Sequence, residues 1–388
     1  MRKSTEIIDL TGAVPRGGNG LTEPGINREA LIRNYAALLR NGVIHYPVPY
    51  HFVRELGCGR QGHVFLAQRQ GARGCLTEYA LKLYDPSLYR SSEEYWTDMG
   101  RIAFQVSRLQ KVQSPNMVSR YSFEETYGIG YVQMEAIDGL DLARLLMDEN
   151  IHLLRDRCGR HAWRRFSETI FRNHDGIWRL QPGMVVYILR EVLRGLERLH
   201  HANFLHYDVK PENIMVDRLG SVKVIDFGRA VMNGESLSFL LGSPLYMAPE
   251  THRREPGTPQ SDLFSLGLVA LALLRGRGLF EKGAEYVAEQ KLLAVKTGLA
   301  DHLETLLPYY VVENASLMAI LRRLLADGPA ERFSDARAAE VGEGGLVIVA
   351  KQLVHAGLDT EYGRELSDCL SFLVDPESQR IALADLPE

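Results

Sequence analysis

The feature that most constrains this chain is a change of hydrophobic period near residue 138. Before it, from Tyr50 to Tyr84, the short runs HFVREL, HVFLAQ and YALKLY are separated by glycine-bearing turns, the pattern of antiparallel strands. A helical stretch from about Glu93 to Val112 is stopped by Ser114-Pro115, and two further strand-like runs, MVSRYSF and GYVQMEAI, lead to Asp138-Gly139. Beyond that junction the apolar residues recur at helical spacing. MVVYILREVLRGLERLHHA (184–202) is amphipathic, whereas SDLFSLGLVALALLRG (261–276) is apolar nearly all round and predicts a buried helix. A small β-rich lobe followed by a larger helical lobe is an α+β arrangement, and 388 residues suffice for both.

Flanking segments extend this two-lobe body. Residues 1 to about 25, with Gly17, Gly18, Gly20 and Pro24, read as a flexible lead-in. Asn27 then caps a helix carrying Leu31, Ile32, Tyr35, Leu38 and Leu39, ended by Asn41-Gly42. GLVIVAKQLVHAGL and RELSDCLSFLV predict helices within 339–388. The expected division is an extension over 1–50, a small lobe over 51–138, a large lobe over 139–338 and a helical extension over 339–388. Near 148–180 the large lobe carries Arg155, Arg157, Arg160, Arg164, Arg165, Arg172 and Arg179 against Asp156, Glu168 and Asp175. Such a charge run reads first as a solvated surface, with a docking face for an acidic regulatory partner as the alternative; the terminal helices are a second candidate for such a partner.

Composition narrows the function classes. A formal net charge of -4 gives no case for nucleic acid as a partner. The opening MRKSTEIIDLTG has no apolar run of a signal peptide, and Ser265 to Leu274 is too short to span a bilayer. The four cysteines, Cys58, Cys75, Cys158 and Cys369, form no CxxC pair, which argues for free thiols in a reducing cytoplasm and against a disulfide framework or a zinc site. A cytoplasmic location is the expectation, although delivery into another cell would leave no clear trace in such a sequence.

Four constellations carry chemistry. Gly57-Cys-Gly59-Arg-Gln-Gly62-His-Val64 lies between two strand-like runs, where glycine lets a hairpin backbone approach phosphates. Without a following helix it does not fit a dinucleotide fold. Lys82 stands inside the apolar run around Ala80, one hairpin further on, where a cation reaches the same phosphates. His206-Tyr207-Asp208-Val-Lys210-Pro-Glu-Asn213 directly follows the 184–202 helix. Its spacing places Asp208 to meet a hydroxyl, Lys210 to neutralise a moving phosphoryl group and Asn213 to ligate a divalent cation. Asp226-Phe227-Gly228 ends the apolar strand VKVI, and the Asp226 carboxylate offers the oxygen a hard cation prefers. By itself the second half of this set also fits a small-molecule phosphotransferase.

Taken together, residues 52 to about 338 resemble the eukaryotic-like (Hanks-type) serine/threonine protein kinases, adding GSPLYMAPE (242–250), Asp262-x-x-Ser265-x-Gly267 and Arg332 to the motifs above. The resemblance implies a bilobal protein-kinase fold, ATP with magnesium or manganese, and protein substrates with serine or threonine acceptors. It makes Met134 the gatekeeper, gives adenine the backbone of Glu135 to Ile137, and sandwiches its ring between Val64, Ala80 and Met215. It makes Asp208 the base and Asn213 and Asp226 the metal ligands, and pairs Glu250 with Arg332. Ser243 stands where the family usually has threonine, with a hydroxyl able to bridge Asp208 and Lys210.

Two positions depart from the family pattern. Tyr207 replaces the arginine that commonly grips a phosphate on the activation segment, and the only hydroxyls between Asp226 and Ser243 are Ser236 and Ser238. Activity independent of phosphorylation there is the expectation. Counting back from Ser114-Pro115-Asn116 puts Gln105 where the family has the glutamate that pairs with Lys82; Glu93 or Glu94 in a shifted register is the alternative. That gap keeps an ATP-binding pseudokinase or scaffold in view. Cys58 reads as an inert small residue unless its thiol is activated, and His63 and His206 read as structural.

Overall fold

A computed structural model describes residues 27–45, 48–59, 61–234, 243–280, 288–355 and 361–374; the lead-in over 1 to 25 lies outside them. The Asn27 side chain accepts the Ala30 N–H at 2.9 Å and caps α1 (Arg28–Asn41). Gly42 ends that helix at φ +66°, a left-handed conformation that glycine adopts without a Cβ penalty.

The small lobe is one antiparallel sheet of β1 (Val43–Ile44), β2 (Tyr50–Gly59), β3 (Gly62–Gln70), β4 (Leu76–Tyr84), β5 (Arg120–Thr126) and β6 (Ile129–Met134), in the order β1-β2-β3-β4-β6-β5. Register decides what faces the cleft. Val64 pairs with Lys82 and Lys82 with Val132, while Ala80 pairs with Met134 and Met134 with Arg120. Paired residues share a face and alternate residues repeat it, so this whole set points one way. Helix α2 (Ser92–Leu109) packs Tyr95, Met99, Ile102 and Val106 into one core with Leu81, Leu83, Ile129 and Tyr131.

Below the junction, α6 (Pro182–His201) packs against α8 (Pro259–Arg275), whose residues Ser261 to Leu274 are all buried, as the unbroken apolar run requires. A three-stranded sheet of β7 (Gly139–Asp141), β11 (Ile214–Asp217) and β12 (Val222–Val224) and a bridge of β10 (Phe204–Leu205) to β13 (Val231–Met232) carry the motif loops on this core. The short helices α3 (Leu142–Leu145) and α7 (Pro249–His252) border the cleft side, and α9 (Glu289–Lys296), α10 (Leu303–Leu306), α11 (Tyr309–Val312), α12 (Ala315–Leu324) and α13 (Ala336–Val341) complete the lobe. Helices α14 (Val347–His355) and α15 (Tyr362–Leu373) form the C-terminal layer.

The arginine-rich stretch folds as α4 (Asp148–Arg157), α5 (Arg160–Thr169) and a hairpin of β8 (Phe171–His174) and β9 (Ile177–Leu180). Its arginines are largely spent within the chain. Arg165 reaches Asp368 at 2.6 Å and Glu365 at 3.2 Å, and Arg157 donates to the Phe372 carbonyl at 3.1 Å. The surface these two side chains meet is therefore the chain's own α15. Backbone contact fixes α15 from the other side as well: Gly220, at φ +77°, lies so close to Gly363 that a Cβ would collide with its carbonyl.

One buried ion pair ties the segment after the cleft to the core. Arg332 donates to both Glu250 oxygens at 2.7 and 2.9 Å, with each side chain at most 1% exposed. Its other donors reach the carbonyls of Ala326, Asp327 and Gln260. Replacing Arg332 by Met strands the Glu250 charge in the core, and urea unfolding is expected to show a loss of about 3–5 kcal/mol.

Candidate active site

The cleft between the lobes encloses about 1320 Å³. Gly57, Gly59, Gly62, Val64, Ala80, Lys82, Gln105, Met134, Glu135, Ile137, Asp208, Lys210, Asn213, Met215 and Asp226 all line it; Ser243 does not, but is bonded to residues that do.

The lower wall is a loop pinned by a buried carboxylate. Asp262, on the first turn of α8, accepts the N–H groups of His206 (2.8 Å) and Tyr207 (2.9 Å) and bonds the His200 ring nitrogen at 2.8 Å. Burial pushes the His206 imidazole below its usual pKa, so it stays neutral. Its Nε2–H donates to the Ile225 carbonyl (3.0 Å) and its Nδ1 accepts the Asp208 N–H (3.2 Å), a tautomer assigned from these partners. Tyr207 turns the chain at φ +62°, strain of the kind that persists where surroundings over-determine the backbone. Its ring lies against Gly257, where a Cβ would overlap the hydroxyl.

The side chains so placed converge. Ser243 donates to Asp208 Oδ1 at 2.7 Å and accepts from Lys210 Nζ at 2.9 Å, while Lys210 lies 3.1 Å from Asp208 Oδ2. Asn213 Nδ2 donates to the Asp208 carbonyl (2.8 Å) and to its Oδ2 (2.9 Å). Burial works to raise the Asp208 carboxyl, but Lys210, Arg229 and the Ser243 hydroxyl outweigh it and hold the group below the usual carboxylate range. Asp208 is thus ionised at neutral pH and anchored on both oxygens.

The upper wall meets the lower at Asp226. Lys82 Nζ donates to Asp226 Oδ1 and to Gln61 Oε1, both at 2.6 Å. Burial opposes ionisation of Asp226, but the Lys82 ammonium and the Gly228 N–H (3.2 Å) hold the carboxyl well below its ordinary value. At the back of the cleft the Glu135 N–H is spent on the Ser119 carbonyl (2.9 Å). Among the described residues, the Glu135 carbonyl and the Ile137 N–H have no backbone partner.

Helix α2 brings no carboxylate to Lys82. Gln105 instead donates to the Ala230 carbonyl, and its Oε1 is buried without a partner among the described residues. Expecting Gln105 to hold Lys82 is corrected on this point: the ammonium donates to Asp226 and Gln61, and the amide turns toward the strand end. Glu93 and Glu94 are exposed on the first turn, where Glu94 accepts the Arg90 N–H at 2.7 Å. Arg101, one turn before Gln105, donates to the Gly228 carbonyl at 2.9 Å. Two side chains thus couple α2 to residues 228–230 rather than to Lys82.

Two cleft residues escaped the sequence reading. Gln61, inside the glycine loop, crosses to Lys82 and abuts Gly228. Arg120, hidden in the run MVSRYSF, sits 8% exposed with its guanidinium 3.8 Å from the centre of the Phe227 ring. Register on the cleft face was the signal for it, since Arg120 pairs with Met134. Ser236 and Ser238 lie outside the described residues.

The protein kinase domain profile matches residues 50–342, three quarters of the chain. The chain belongs to the protein kinase domain family. Among relatives, it is 28% identical over 293 residues to the serine/threonine-protein kinase PrkC of Bacillus subtilis, a match covering 74% of this chain and 39% of PrkC. It is 29% identical over 262 residues to the serine/threonine-protein kinase PknL of Mycobacterium tuberculosis, covering 66% of this chain and 56% of PknL. The chain therefore spans less than two thirds of either relative. The bilobal kinase fold is shared with the crystal structure of the PknI kinase domain of Mycobacterium tuberculosis, with a TM-score of 0.52 at 21% identity, over 80% of this chain and 98% of that one. No helix among the described residues is long and apolar enough to cross a membrane. Within this kinase family fold, Arg120 is a buried cation without an ion-pair partner among the described residues.

Burial lowers the Arg120 pKa well below its ordinary value, to about 9, so at pH 7 folding confines a charge that the unfolded chain keeps in water. Arg120→Met is expected to raise the melting temperature at pH 7. Above about pH 9 the unfolded arginine binds more protons than the folded one, so native stability gains with pH there and the gap to the variant narrows. A variant that melts lower at pH 7 would show that the stacking on Phe227 outweighs desolvation.

Proposed function

We propose that this chain transfers the γ-phosphoryl group of ATP to serine or threonine hydroxyls of proteins. The observation that carries the reading is the convergence on Asp208 of Asn213, Lys210 and Ser243, facing Lys82 and Asp226 across one cleft. Phosphoryl transfer asks a protein mainly for positioning and for charge at the phosphate oxygens, and this set supplies both. Asp208, ionised and acceptor-only, orients the acceptor hydroxyl and takes its proton as the oxygen–phosphorus bond forms and the β–γ bridge bond breaks. Lys210 neutralises the moving group. Lys82 steadies the phosphates left behind, once Gln61 has withdrawn from it. The Glu135 carbonyl and Ile137 N–H face the adenine, with Val64, Ala80 and Met215 on its two sides.

The donor set suits a hard divalent cation. Asn213 Nδ2 is committed to Asp208, which leaves its Oδ1, and Asp226 keeps an oxygen that no described residue occupies. Two such oxygens match magnesium, or manganese, which when bound neutralises phosphate charge. Protein rather than small-molecule acceptors are favoured by the built shelf after Ser243, fixed by Glu250–Arg332 and by Lys296, which donates to the carbonyls of Pro244 and Met247 at 2.6 and 2.7 Å.

Control through helix placement follows from the same contacts. Tyr207 presents a ring to Gly257 where a phosphate-gripping guanidinium would stand, and α2 is tied to residues 228–230 by Arg101 and Gln105. A second reading, nucleotide binding without transfer, draws on the absence of an α2 carboxylate at Lys82.

One assay separates these readings. With labelled ATP, magnesium and a generic basic acceptor protein, the parent is expected to transfer label and Asp208→Asn to lose about 10²–10⁴-fold in rate while still binding ATP. ATP binding without transfer by the parent supports the scaffold reading instead. In the same assay Ser236→Ala/Ser238→Ala is expected to keep the parent rate; loss of turnover overturns control without segment phosphorylation.

A further inference from the structure

Three side chains on the outer face of the glycine-loop hairpin have no part in the cleft chemistry. Glu55 and Cys58 stand on β2 and His63 on β3, and one ligand atom from each lies within 4.8 Å of the others. Their convergence has a specific backbone cause. Residues three apart on a regular strand point to opposite faces. The β2–β3 register shifts between Glu55 and Gly57, so that Glu55 pairs with Phe65 while Cys58 pairs with His63. That bulge absorbs Leu56 and brings Glu55 and Cys58 to one face beside His63. Val64 pairs with Gly57 on the cleft face and His63 with Cys58 on the next rung, so the three side chains share the opposite face of the hairpin, with Cys58 at its tip also bordering the cleft.

We propose that Glu55, Cys58 and His63 bind a zinc ion on the outside of this hairpin. Thiolate, imidazole and carboxylate are the ligand types zinc takes, and three protein ligands with a water complete a tetrahedron. Magnesium and calcium prefer all-oxygen sites, so the soft sulfur selects against them. Zinc bonds of 2.0–2.3 Å require ligand atoms about 3.5 Å apart, a closure that side-chain rotation on an exposed face permits. On binding, the Cys58 thiol releases its proton to solvent and the thiolate coordinates.

A second layer is already in place. Tyr35, from α1 and only 5% exposed, bonds His63 Nδ1 at 2.8 Å, which fixes the ring and leaves Nε2 for the metal. The ring also stacks on Phe65, with centroids 6.1 Å apart, and Phe65 on Phe52 at 4.5 Å. Cysteine spacing gave no sign of such a site, because the ligands come from two strands and include one cysteine. An ion here ties β2 to β3 directly behind the glycines that roof the cleft.

The test uses the full chain stripped of metal by chelation. Titration with Co²⁺ is expected to give one equivalent of thiolate-to-cobalt charge-transfer absorption, displaced by Zn²⁺. Cys58→Ser should abolish the band, His63→Gln and Glu55→Gln should each weaken Zn²⁺ binding at least tenfold, and Tyr35→Phe about tenfold. Asp226→Asn, in the cleft, should leave the band intact. Zn²⁺ should also slow amide hydrogen exchange over residues 55–64 in the parent and not in Cys58→Ser. Absence of the band in the parent, its survival in Cys58→Ser, or its loss in Asp226→Asn would each overturn the assignment.

Discussion

The cleft depends on one buried carboxylate. Asp262 sits on α8, a helix buried along its length, and spends its oxygens on two consecutive backbone N–H groups and an imidazole. Burial would raise its pKa, but His200 and His206 hold it below the ordinary range, so the anchor stays charged. Removing a charge-assisted partner from buried donors costs more than the bond itself, since the donors are left unsatisfied. The left-handed turn at Tyr207 is affordable only because both N–H groups around it are held. From that turn follow the positions of Asp208, Lys210 and Asn213.

The upper half of the site is held differently. Lys82 finds its counter-charge in Asp226, across the cleft, rather than on α2. Helix α2 instead grips the carbonyls of Gly228 and Ala230, while Arg120 stacks on Phe227, the residue before them. Helix, strand end and buried cation are therefore packed against the residues that directly follow Asp226. The flanking layers touch both walls of the same cleft. Helix α1 reaches the glycine hairpin through Tyr35, and α15 braces the turn after β11 through Gly363. The surface that resembles an interaction face, the arginine-rich stretch, is partly closed by α15 already.

Much of the fold was legible because its signals are local. The helices at 28–41, 182–201 and 259–275 begin and end within a few residues of their caps and apolar periods, and the glycine hairpin was marked by its turns. The β8–β9 hairpin was readable too, from Asp175-Gly176 between Phe171 and Leu180, but the surrounding arginines masked it; both turn residues have positive φ. The lower wall of the site was legible for a similar reason, since Asp208, Lys210 and Asn213 lie on one short loop. What the sequence could not show were contacts made across the cleft. Gln105 counts correctly onto the helix, yet its partner is set by how α2 docks on Ala230, and the bulge that gathers Glu55, Cys58 and His63 exists only in the paired register.

On the function proposed above, Asp262 positions the loop that serves phosphoryl transfer. The most direct test is the rate of transfer from labelled ATP by the parent beside Asp262→Asn, with ATP affinity measured on both. The two backbone N–H groups point at different Asp262 oxygens, and asparagine replaces one of these by an NH2 donor, so the account predicts transfer by the parent, a fall of at least a hundredfold in the variant, and similar ATP affinity. An unchanged rate in Asp262→Asn, or no transfer by the parent, would contradict it.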